Sequence, residues 1–181
     1  MTIIIGLGNP GKKFNHTRHN AGFEVLDFFA TQNGFPDFEI SKRHKSLISE
    51  NNEVALVKPE TFMNDSGRAT AAILKNKNEP TLIVVHDDID LPLGKIKFTK
   101  DSGAGGHKGV DSIIQQVGNN NFIQLKIGIG AEGEKVKALE VVLEKFSKEE
   151  QEIMEGVIKK SAEALKYLTE NGIEKTMNEY N

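Results

Sequence analysis

The chain reads as a single α/β domain spanning residues 1–181, a twisted mixed β-sheet flanked by helices. Three observations predict this. Apolar, β-branched runs of strand length alternate with stretches whose apolar residues recur at helical spacing. The 181 residues are the size of one domain with a substantial core. No internal repeat or low-complexity linker divides them.

The first strand, Ile3-Ile4-Ile5, empties into Gly6-Leu7-Gly8-Asn9-Pro10-Gly11, and a loop then carries Arg18, His19 and Asn20. Gly6, Gly8 and Gly11 fit a dinucleotide-binding turn, but that turn runs straight into a helix, whereas here the loop continues through His16 and Thr17. The acidic residue expected about 20 positions on, at the tip of a second strand, is also missing, because Asn33-Gly34 reads as a helix end. A helix from Asn20 or Ala21 to Asn33 follows. Strand segments at 38–40 and 46–49 lead through the turn Asn51-Asn52 to a third at 54–57, stopped by Lys58-Pro59, and Lys42-Arg43-His44-Lys45 protects an exposed edge by charge. Asn64 stands at the corner before a short helix containing Ala69, Ala72, Ile73 and Leu74.

The most apolar strand, 82–85, ends in His86-Asp87-Asp88-Ile89-Asp90, which places acids where α/β folds bind ligands. Turn and capping chemistry suffices for Asp88. A strand at 95–99 precedes the glycine-rich loop Ser102-Gly103-Ala104-Gly105-Gly106-His107-Lys108-Gly109, then come a helix with Val110, Ile113, Ile114 and Val117 and a strand at 122–127. The last third is helical: a segment at 136–143, a helix opened by the capping box Ser147-Lys148-Glu149-Glu150 and ending at Asn171-Gly172, and a short terminal turn or helix.

The formal net charge of -3 argues against a protein that coats nucleic acid indiscriminately. Residues 1–126 carry 15 Lys and Arg against 14 Asp and Glu, however, while residues 127–181 carry 8 against 12, so a local basic face is available in the first part. The absence of cysteine removes disulfides and thiolate chemistry, and with no leader-like start it favours a cytoplasmic setting. No apolar run approaches the ~20 residues of a membrane span.

Side chains suited to acid–base or amide chemistry gather at element ends: Asn9, His19, Asn64, Asp87 and His107. No serine sits in a nucleophile elbow, so the logic that remains is a water activated by histidine. An imidazole with an ordinary pKa of ~6.5 takes a proton from water, and a carboxylate such as Asp87 on its other nitrogen fixes the tautomer and stabilises the imidazolium. Asparagine amides would bind a substrate carbonyl or the developing oxyanion. A metal site competes for the same residue types, but His16 and His19 lack helical i, i+4 spacing and no close carboxylate pair or cysteine joins them, so no metal is expected.

Six blocks then carry a family resemblance: residues 6–11, the run from Phe14 to Gly22, the run from Pro59 to Gly67, His86 to Pro92, Gly105 to Gly109, and Lys126 to Gly130. In this order they resemble bacterial peptidyl-tRNA hydrolase over nearly the whole chain. The resemblance implies a monomeric, cytoplasmic, cofactor-free enzyme that takes peptidyl-tRNA and cleaves the ester joining the peptide to the 3′-terminal ribose. By the same resemblance His19 is the general base, oriented by Asp87, and Asn9 and Asn64 contact the peptide or assist the reaction. Met63 lines the peptide channel, His107 sits in a mobile gate, and Phe14, Asn20 and Lys108 complete the substrate-binding set. Phe14 stands where many members have tyrosine, and Lys108 where asparagine is common. The basic clamp for the tRNA 5′ phosphate matches Lys126 on one side; its other position falls on Thr99, with Lys97 or Lys100 as the substitute cation. The alternatives are a non-catalytic RNA-binding relative of the same fold and an esterase of small acyl esters, and the complete set of Asn9, His19, Asn64 and Asp87 favours catalysis on peptidyl-tRNA.

Overall fold

The computed structural model describes residues 1–75, 77–130 and 141–181. Seven strands form one mixed sheet in the order β2-β3-β4-β1-β5-β7-β6. They are β1 (Thr2–Gly6), β2 (Glu39–Ser41), β3 (Ser46–Glu50), β4 (Val54–Pro59), β5 (Thr81–Pro92), β6 (Ile96–Lys100) and β7 (Ile123–Gly130). The central strands β4, β1, β5 and β7 are parallel, and β2, β3 and β6 join antiparallel at the edges. The helices are α1 (Ala21–Gln32), α2 (Ser66–Leu74), α3 (Lys108–Val117), α4 (Lys148–Asn171) and α5 (Ile173–Tyr180). None of the described helices is long and apolar enough to cross a membrane.

The alternation of side chains along each strand splits the core in two. Ile4, Ile83, Val85, Phe98, Leu125 and Ile127 pack with α1 and α4 on one face, and Ile3, Ile5, Val57, Leu82 and Val84 pack with α2 and α3 on the other. Helix α1 closes as its sequence indicates: Gly34 takes φ 65°, and the Phe35 N–H returns to the Ala30 carbonyl at 3.0 Å. The capping box at Ser147 and Glu150 opens α4, with Ser147 N–H donating to Glu150 Oε2 at 2.8 Å. Residues 131–140, which hold most of the expected segment at 136–143, lie outside the described residues.

Two strands run further than their composition suggests. β4 continues through Lys58 and Pro59, because β3 pairs with it as far as Ser46 opposite Pro59, while β1 has already left the ladder at Val57. β5 continues through His86 and Asp87 to Pro92, its register shifting beyond Asp88. The missing side chain of Gly128 permits this, since a Cβ there would meet the Pro92 carbonyl oxygen at 2.0 Å. Asp87 is therefore held inside a paired strand, with its backbone fixed by β7 opposite Ile127. Chain order reverses between β1 and β5, so their connections depart to opposite sides and leave a crevice at this switch point of the sheet.

Candidate active site

A cleft of about 450 Å³ opens at this switch point, bordered by Asn9, His19, Met63, Asn64, Asp87 and His107, among others. Its first wall is the loop after β1. There Asn20 and Asn9 lock together: Asn9 N–H donates to Asn20 Oδ1 at 2.9 Å, and Asn20 Nδ2 donates to the Asn9 carbonyl at 3.1 Å. Asn20 is buried, is absent from the cleft lining and braces Asn9. The Asn9 side chain in turn accepts the Met63 N–H on Oδ1 at 2.9 Å. A backbone donor needs an acceptor, which orients the amide and leaves Nδ2 as the group Asn9 presents to the cleft.

His19 is held from outside the loop. Its N–H donates to the Val142 carbonyl at 2.8 Å, and the neighbouring Arg18 guanidinium meets the Glu150 carboxylate at 2.8 and 2.9 Å. The segment before α4 thus fixes the backbone of His19, and Val142 and Leu143 border the cleft beside it.

The polar centre is Asp87, which is 2% exposed and contacted by two imidazoles. His19 Nδ1 lies 2.8 and 3.0 Å from its two oxygens, and His107 Nε2 lies 2.9 Å from Oδ1. A carboxylate only accepts, so His19 donates from Nδ1 and its Nε2 carries the lone pair, with no protein partner among the described residues. His107 is the N-cap of α3: its Nδ1 accepts the N–H groups of Gly109 and Val110 at 3.2 and 3.3 Å, which puts its proton on Nε2, facing Asp87. His107 is docked on the carboxylate in this structure. Burial alone would raise the Asp87 pKa, but the charge and hydrogen bonds of His107 and His19 outweigh it and hold the carboxyl well below the usual carboxylate range.

His19, Asp87 and His107 place one ligand atom each within 4.8 Å of one another, a spacing that would suit a metal ion. The donor set does not fit one. A metal needs a lone pair on His107 Nε2, whereas the two backbone donors at Nδ1 require the proton to sit on Nε2. The arrangement suits a proton network.

Sequence reasoning passed over His86. It is buried, with Nδ1 donating to the Asp87 carbonyl at 2.7 Å and Nε2 facing Gln124 Oε1 at 3.1 Å, while Gln124 Nε2 donates to the Ser102 carbonyl at 2.8 Å. Its position in a strand of Leu, Ile and Val was the available signal for burial. Desolvation, aided by the charge of His107, lowers its pKa to about 4. In the window between that value and ~6.5 the unfolded chain binds a proton that the folded chain refuses, so this contribution to stability is complete above pH 6.5 and is lost towards pH 4. The expected loss is about 3 kcal/mol over that window. Denaturant unfolding of the wild type and His86→Gln across it checks this: the variant should lose that much of the pH dependence, and parallel curves would contradict the assignment.

The remaining expected residues divide. Met63 is buried against the cleft, and Asn64 and Lys108 are exposed on it. Phe14 does not line it. Its ring meets Phe62 edge-on, centroids 6.5 Å apart, with Lys13 Nζ 4.8 Å from its centroid. Lys97 and Lys126 pair directly across β6 and β7 and share a face, whereas Lys100 pairs with Ile123 and falls on the other face. Lys126 is itself engaged, its Nζ 2.9 Å from Asp88 Oδ2.

Together, fold and site define an α/β protein of the hydrolase class, with a histidine–aspartate couple open to a cleft. The family model for peptidyl-tRNA hydrolase matches residues 3–181, and the chain belongs to that family. It is 43% identical to the peptidyl-tRNA hydrolase of Fervidobacterium nodosum, over 99% of this chain and 95% of the relative. It is also 43% identical to that of Dehalococcoides mccartyi strain CBDB1, over the full length of both. The crystal structure of peptidyl-tRNA hydrolase from Acinetobacter baumannii superposes with a TM-score of 0.89 at 32% identity, covering 98% of this chain and 93% of that one.

Proposed function

We propose that this chain hydrolyses the ester between peptide and tRNA in peptidyl-tRNA, releasing both. The observation that carries this is the His19–Asp87 couple, whose orientation leaves His19 Nε2 as an acceptor at the cleft. In this reading His19 takes a proton from water, and the hydroxide formed attacks the ester carbonyl. The Asp87 carboxylate stabilises the imidazolium that results. Asn9 Nδ2 donates to a carbonyl oxygen of the substrate, as does the exposed amide of Asn64, and Met63 forms an apolar side of the peptide channel. An ester is activated enough for water, a base and amide donors to suffice. Release of the tRNA hydroxyl then draws the proton back from His19.

The basic face of β6 and β7, with Lys97 and Lys126, and the exposed Lys108 at the cleft are assigned to tRNA phosphates. The chain acts as a monomer in the cytoplasm, with residues 1–181 as one domain, and no residue of the site has to come from a second copy.

Hydrolysis of an N-acyl-aminoacyl-tRNA compared with the same N-acyl amino acid esterified to a small alcohol tests the reading. The tRNA ester should give a kcat/KM higher by about 10²-fold or more, because phosphate contacts remote from the ester are used to position it. Equal values for the two esters would make the protein a general esterase and overturn the assignment of tRNA as substrate.

A further inference from the structure

Lys126, one of the cations assigned above to tRNA phosphates, is already paired within the protein. Lys126 Nζ lies 2.9 Å from Asp88 Oδ2, and both side chains are only 15% exposed, so the pair is poorly screened by solvent. Asp88 is fixed from its other side as well, since Oδ1 accepts the Asp90 N–H at 2.9 Å. The pair lies on the face of the sheet that carries Lys97, directly opposite Lys126 on β6. The glycine loop passes over it, and a Cβ on Gly105 would stand 3.7 Å from Lys126 Nζ. A surface lysine awaiting a phosphate needs no such partner, and a purely structural ion pair needs no second lysine beside it.

We propose that Asp88 is an internal competitor for the tRNA phosphate and so tunes substrate affinity: the carboxylate holds the Lys126 ammonium in the free protein and is displaced when a phosphate takes its place. This rests on the reading of Lys126 as a phosphate ligand. Binding then exchanges one anion for another at Lys126. The displaced Asp88 carboxylate attracts a cation from solution and offsets part of the counterion release from the phosphate. The consequence is weaker binding with a shallower salt dependence than the count of lysines would give. Competition of this kind also disfavours molecules that offer only one weak anion, because they cannot displace a carboxylate already held at both oxygens.

The test is a double-mutant cycle on the full chain with deacylated tRNA, its Kd measured against NaCl concentration, for the wild type, Asp88→Asn, Lys126→Ala and the double variant. The substituted amide keeps an oxygen for the Asp90 N–H, and thermal unfolding of each variant confirms that the fold is intact. Asp88→Asn should tighten binding about threefold to tenfold at low salt and steepen the salt slope by up to about 0.9, and both changes should vanish in the Lys126→Ala background. An equal tightening with and without Lys126 would show only relief of general repulsion and overturn the proposal. If Lys126→Ala weakens binding but Asp88→Asn leaves it unchanged, Lys126 binds phosphate without a competitor and the proposal fails alone. If Lys126→Ala has no effect in either background, the phosphate reading of Lys126 fails with it.

Discussion

Asp87→Asn lowers kcat on N-acyl-aminoacyl-tRNA by about 10³- to 10⁴-fold, the scale set by the same substitution in serine–histidine–aspartate triads. The loss comes from two sources. Asp87 Oδ1 receives both His19 Nδ1 and His107 Nε2, and Oδ2 lies 3.0 Å from His19. An asparagine must turn its NH₂ towards one of these contacts. Turned to His19, it demands a lone pair on Nδ1 and moves the proton to Nε2, where the base is needed. With its oxygen at the Oδ1 position instead, it still accepts from His19 but lacks the negative charge that stabilises the imidazolium once His19 has taken the water proton. Affinity for deacylated tRNA should stay within about twofold, because the Asp87 side chain is buried and engaged by His19 and His107 and not by a lysine. A steady-state comparison with a parallel binding titration checks the prediction, and a variant within tenfold of wild-type kcat would remove Asp87 from the reaction.

Much of the fold was legible because its elements carry local signals. A β-branched run emptied into glycines marked β1, the capping box marked the start of α4, and Asn33-Gly34 marked the end of α1. The ends of β4 and β5 were not legible, since each is set by how far a neighbouring strand keeps pairing. Gly128 and Gly130, which let β5 run on to Pro92, lie more than thirty residues away in the chain.

The site divides in the same manner. That His19 and Asp87 belong together follows from chemistry, since an imidazole without a serine or cysteine has a carboxylate as its best partner. The use of Asn20 as a brace does not follow, because an amide beside a candidate base reads as substrate-binding until its partner is seen to be the backbone of Asn9, eleven residues earlier. His107 was noticed for its glycine-rich surroundings, yet its contact with Asp87 and its cap on α3 depend on how the loop returns to the sheet. The engagement of Lys126 by Asp88 arises from the register of β5 against β7, which no spacing within either strand reveals.

His19→Ala bears on the centre of the account. The substitution removes the imidazole but leaves the backbone hydrogen bonds that fix this position, from His19 N–H to the Val142 carbonyl and from Arg18 N–H to the Glu144 carbonyl. The loop should therefore keep its course and Asn9 its orientation. A general base contributes about 10²- to 10⁴-fold, and the other two imidazoles at the cleft are turned elsewhere: His107 is held between Asp87 and the N-terminus of α3, and His86 is buried with its nitrogens facing the Asp87 carbonyl and Gln124. The direct measurement is single-turnover hydrolysis of N-acyl-aminoacyl-tRNA by wild type and His19→Ala, with the affinity of each for deacylated tRNA measured on the same preparation. A loss of at least about 10²-fold in the hydrolytic rate with unchanged tRNA affinity is the predicted result, and hydrolysis at the wild-type rate by the alanine variant would contradict His19 as the base.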